Sequence, residues 1–205
     1  MELTQSNTIK TLAVLLLLTA ITQPIYTALY VGAPDINRQF IWGTEGLLFL
    51  LIAPFAGSAL VMTGRYTLGF AAIASSAVLN VVQLSAGFTL FGPFTAAAAA
   101  NPDFGGIASA IVAMSFFIYN AAKVLLGIAA VVFGIAVKNG GNTLLGSAAA
   151  LVGAVAIVAN TIVMMFGLGG FLPSPIAGGS GVLATLLLAI CLFSINSKIS
   201  QSDQT

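Results

Sequence analysis

The chain has 205 residues, of which 59% are hydrophobic and 5% charged, with a formal net charge of +1 and a mean hydropathy of +1.10. So little polar surface cannot hold a globule of this size in water, which makes lipid the solvent and leaves no room for a soluble module. The absence of a basic cluster excludes nucleic-acid binding, and the absence of His removes the usual haem ligands and every Ser/His/Asp or Cys/His catalytic set.

An α-helix rising about 1.5 Å per residue needs roughly 20 residues to cross a hydrocarbon core. That ruler predicts an all-α bundle of six transmembrane helices near 11–32, 43–64, 66–91, 107–137, 142–168 and 174–196, forming a single integral membrane domain over 1–205. Alternating β-barrel patterning is not seen. The first run follows Lys10 and has small residues at Val31, Gly32 and Ala33, but it exceeds the apolar core of a secretory signal and reads as an uncleaved span. Within it Pro24, after Gln23, removes a backbone donor and frees a carbonyl one turn earlier. Tyr26 and Tyr30 near its outer end line an entrance or occupy the interface.

In the second run Pro54 repeats the proline effect midway, and Tyr26, Glu45 and Pro54 form the candidate gating or access set. Glu45 is the obvious charge partner for a buried cation, but by helix rise it lies about 10 Å further out than Lys123, so we expect an interfacial, solvated carboxylate. Trp42, Phe40 and Tyr66 suit interfacial anchoring. The third run carries a polar stripe of Ser76, Asn80, Gln83 and Gly87. Residues 95–100 and 101–106 read as a helical fragment and a turn outside the bilayer.

The fourth run holds the most informative residue. Lys123 sits near its middle, flanked at helical spacing by Phe116, Asn120, Gly127, Ala130 and Gly134, with Tyr119 beside the stripe. A cation at that depth is costly and normally faces a bundle interior. Snorkelling to the inner edge would require it to span roughly 20 Å, beyond a lysine's reach. In the fifth run Gly146, Ala149, Gly153, Ala156 and Asn160 share one face suited to close helix packing. The Gly178–Gly181 stretch, preceded by Pro173 and Pro175, reads as an irregular start to the sixth helix and lacks the context of a phosphate-binding loop. Cys191, alone of its kind, packs as a small apolar residue. No internal duplication is convincing.

With the N-terminus inside, Lys10, Arg65, Lys138 and Lys198 fall on the cytoplasmic side and Arg38 outside, which predicts both termini cytoplasmic in a plasma or inner membrane. Asp35 and Asp103 then lie in outer connections. Lys123, Asn120, Asn80, Asn160, Gln83 and Tyr119 form the candidate binding set for a small polar or anionic solute, the cation supplying charge and the amides orientation. The same amides also read as interhelical connectors, worth about 0.6 kcal/mol each on average. That gives the alternative function, a non-catalytic structural or assembly subunit. A membrane enzyme using a desolvated Lys123 ranks third, and a retinal-type Schiff base there is disfavoured by six spans and by the want of an acid at its depth. No cofactor or metal is expected; the expected partners are the lipid bilayer, a small solute, and a second copy of the chain or another membrane protein.

Overall fold

The computed structural model describes residues 4–33, 37–167 and 170–202. Asp35 lies outside them, as do the side chains of Tyr30, Val31 and Lys198. The described residues form helices with no strand: α1 Gln5–Gly32, α2 Gln39–Thr63, α3 Thr67–Ala86, α4 Gly92–Ala100, α5 Gly105–Asn139, α6 Thr143–Phe166 and α7 Ser174–Ser202. A π-helical turn, Gly87–Phe91, joins α3 to α4, so six stretches are long and apolar enough to span a membrane. The chain has the architecture of a multi-pass membrane protein.

Boundaries differ from the sequence reading for identifiable reasons. Helix α1 begins a turn and a half before residue 11 because the Thr4 hydroxyl accepts the Asn7 amide at 3.2 Å and caps the helix. The third span runs from Thr67 to Ala100 instead of stopping at 91. Its alanine-rich end keeps winding, since alanine is the strongest helix former, and the π turn sits directly before Pro93, whose ring and missing N–H disturb regular hydrogen bonding. The 95–100 fragment is therefore continuous with α3, though none of α4 is buried. Gly178–Gly181 lie within regular α7 helix, not an irregular start.

The hairpin between α2 and α3 is as tight as its sequence suggests, with Gly64 at φ 56° and Tyr66 at φ 56°, a left-handed conformation that glycine adopts freely and tyrosine rarely. At the α5–α6 hairpin Asn142 accepts the Leu145 amide at 3.2 Å and caps α6.

Helix contacts define the topology. Pairings α1–α2, α2–α3, α3–α5, α5–α7 and α7–α1 close a ring of five helices, and α6 packs outside it against α5 and α7. The α5–α6 contact is the most extensive and is made backbone to backbone: a Cβ on Gly153 would meet the Gly127 carbonyl oxygen at 2.7 Å. Without a hydrophobic drive between helices in lipid, such proximity is what gains dispersion energy. The small-residue face of the fifth span is this surface, with Gly146, Ala149, Gly153, Ala156 and Asn160 all buried.

Inside the ring, Ile9, Leu12, Leu16, Phe49, Ile52, Phe70, Ile73, Leu126, Phe133, Leu188 and Leu192 are at most 1% exposed and form a hydrophobic core. Phe133 stands edge-on to Phe70 at 4.9 Å between centroids. At the end of the bundle bearing Arg65, a cavity of about 270 Å³ is lined by Gln5, Ile9, Thr63, Tyr66, Phe70 and Val137 among others. Its lining comes from the same five helices that close the ring, so it is the mouth of the ring's axis.

Candidate functional site

Lys123 is fully buried in the ring. Its ammonium crosses from α5 to α1 and donates to Gln23 Oε1 at 2.6 Å, and its Nζ lies 5.1 Å from the centre of the Tyr119 ring, one turn away on α5. The aliphatic stem runs against α7. A Cβ on Gly181 would come within 2.8 Å of Lys123 Cδ, so this position leaves the volume that the lysine fills. Gly178, one turn outward, faces the Tyr119 hydroxyl, which would lie 3.9 Å from a Cβ there.

Glu45 corrects the sequence reading. It is not a solvated interfacial group: its residue exposure is 5%, and Oε1 is buried without a hydrogen-bond partner. Two features put it there. Helix α2 starts at Gln39, which sets Glu45 nearly two turns inward, about 9 Å by helix rise. Above it Trp42, one turn outward on the same face, stacks on Tyr26 of α1 at 5.3 Å and 9°. Tyr26 in turn lies one turn outward of Thr22 and Gln23, so the stack roofs the space where α1 and α2 present Thr22, Gln23 and Glu45. Glu45 interacts with the Thr22 hydroxyl and feels the charge of Lys123. The cation's hydrogen bond nonetheless goes to Gln23, leaving acid and cation as buried neighbours without direct contact. An acid at the cation's depth, which the sequence did not place there, is thus present.

The aromatic roof extends to the π-helical turn after α3. Trp42 meets Phe88 edge-on at 5.7 Å and Phe91 at 5.9 Å, and a Cβ on Gly87 would lie 2.7 Å from the indole. The Arg38 guanidinium lies 5.9 Å from the Tyr26 ring centre and continues the cluster toward the bundle end. Trp42, read as an interfacial anchor, is therefore held between α1 and the π turn. Phe40, 85% exposed, projects outward.

The amides of the candidate set bond to groups other than the Lys123 ammonium. Asn80 Nδ2 donates to the Ser76 carbonyl at 2.9 Å, and the Ser76 hydroxyl donates to the Ala122 carbonyl at 2.9 Å, joining α3 to α5. Gln83 Nε2 donates to the Ser115 hydroxyl at 3.1 Å across the same contact. Asn120 Nδ2 donates to the Phe116 carbonyl of its own helix at 2.6 Å. Asn160 Nδ2 donates to the Ala156 carbonyl at 2.7 Å and to the Ala177 carbonyl at 3.1 Å, joining α6 to α7, while its Oδ1 is buried without a partner. Pro54 is on the outward face of α2, at a shallow groove with Gly57, Ser58, Val61 and Met62.

The structure thus brings together Lys123, Tyr119, Glu45 and Tyr26 from the candidate residues and adds Gln23, Thr22, Trp42 and Gly181. Gln23 was legible in principle: it is a lone amide within the apolar run of the first span, and polar groups at that depth need a partner. Gly181 had no such signal, because a glycine that makes room looks like any other small residue. Comparison with protein-family models, with curated proteins and with solved structures finds no match to this chain.

Proposed function

We propose that this membrane protein binds a small polar solute at the Lys123–Gln23–Glu45 centre and passes it along the axis of the five-helix ring. The observation that supports this reading is a fully buried cation beside a buried carboxylate oxygen with no partner, both inside a ring whose axis opens into a cavity at one end. Polar groups at that depth are costly and serve a pathway or a site more often than packing. The aromatic roof closes the centre at one side and the Phe70–Phe133 region closes it toward the cavity, an arrangement suited to a closed, occluded state.

Replacing Lys123 with Met keeps the stem and deletes the charge. With wild-type protein in vesicles, a panel of small polar solutes is expected to yield at least one that enters faster than in protein-free vesicles, and Lys123→Met to abolish that uptake while the protein remains folded. Uptake unchanged by Lys123→Met would refute the role of the centre.

The structural-subunit reading rests on a different observation: the bonds of Ser76, Gln83 and Asn160 described above join helices. Co-purification of a second membrane protein in fixed stoichiometry, with no uptake of any solute, would favour it.

A further inference from the structure

Building on the solute-binding reading, we infer that the solute is net-neutral and dipolar, offering an acceptor at one end and a hydrogen-bond donor at the other, and that the Lys123–Glu45 pair rejects free anions and free cations. The ammonium has three donors, of which one is directed to Gln23 Oε1. Glu45, whose charge it feels, has an Oε1 that is buried without a hydrogen-bond partner. Remaining donors and an unfilled acceptor within one buried centre are complementary to one molecule carrying both functions. Amino-acid zwitterions and small amides share that chemistry, and Gln23, itself an amide, already supplies one such contact.

Charge decides the class. An ammonium at Lys123 and a carboxylate at Glu45 sum to no net charge, and a proton passing from one to the other leaves that sum unchanged. Adding an anion or a cation to such a buried site leaves one charge uncompensated in a low-dielectric interior, whereas adding a dipole does not. The groups around the pair point the same way: Thr22 and Gln23 from α1, Tyr119 from α5 and the roof residues Tyr26 and Trp42 are all neutral.

Trp42 is the single tryptophan of the chain and belongs to the roof one turn above Glu45, so its emission reports on the site. Glycine, acetamide, acetate and methylammonium, of similar size and different charge, are titrated into purified protein in detergent while Trp42 emission and melting temperature are followed. Glycine or acetamide is expected to saturate, with acetate and methylammonium at least about tenfold weaker, since uncompensated buried charge is strongly disfavoured. Glu45→Gln leaves the site cationic and is expected to shift the preference toward acetate; Lys123→Met leaves it anionic and is expected to shift it toward methylammonium. The wild-type titration decides even where a variant does not fold. Acetate binding as tightly as glycine and acetamide to wild-type protein would overturn the inference and leave solute binding standing. No response to any of the four compounds in the wild-type protein would overturn the inference, and only the separate uptake panel then decides the reading beneath it.

Discussion

Replacing Gln23 with Leu removes the acceptor of the Lys123 ammonium with little change in side-chain volume, which keeps cavity effects small. The bond is 2.6 Å long and the lysine is fully buried, so water cannot replace the lost oxygen without entering the ring. A hydrogen bond to a charged group contributes about 1.5–3 kcal/mol, and removing one partner of a buried charge costs about 3–5 kcal/mol. Glu45 and the Tyr119 face still compensate part of the charge, so we expect Gln23→Leu to destabilise by about 2–4 kcal/mol. Lys123→Met leaves the Gln23 oxygen unpaired and removes the cation whose charge Glu45 feels, and is expected to cost about 1–3 kcal/mol. The double variant removes both members of the bond, so its cost should fall short of the sum by at least ~1.5 kcal/mol. Far-UV circular dichroism during SDS titration of mixed micelles measures all three. A coupling below about 0.5 kcal/mol, the range expected of independent sites, would refute the account of the centre as a directly bonded pair.

Gly153→Leu should separate α5 from α6, because its first added carbon already meets the Gly127 carbonyl at 2.7 Å. We expect a loss of about 1–3 kcal/mol or more in the same titration, whereas Gly57→Leu, with nothing within 4 Å of its Cβ, should stay within about 0.5 kcal/mol. Basic-residue bias predicts that the end bearing Lys10, Arg65 and Lys138 faces the cytoplasm. Cysteines at positions 10 and 138 should then react with an impermeant thiol reagent only from inside, and one at 38 only from outside, against the buried Cys191; the reverse pattern would invert the topology.

The six spans were legible because crossing a bilayer is a condition on each segment separately, met by length and composition without reference to its neighbours. The depth of Lys123 followed in the same way, from its distance to the ends of its own apolar run. The small-residue face of the fifth span was visible for a related reason, since the 3.6-residue period places it on one side whatever it packs against. The extension to Ala100 was not, because the helix passes Pro93 by way of a π turn that composition does not announce.

Which side chains meet is a property of the ring, and it was decided between helices. The gathering of Gln23, Glu45, Lys123 and Gly181 joins residues from four helices through lateral positions that no periodicity specifies. Glu45 looked interfacial when its depth was counted along α2 alone. It is buried because the Tyr26–Trp42 stack covers it, and a neighbouring helix supplies half of that cover. Sequence fixes how deep a residue lies along its own helix; only the closed bundle determines what stands beside it, since lateral contact depends on how several helices are rotated and tilted at once.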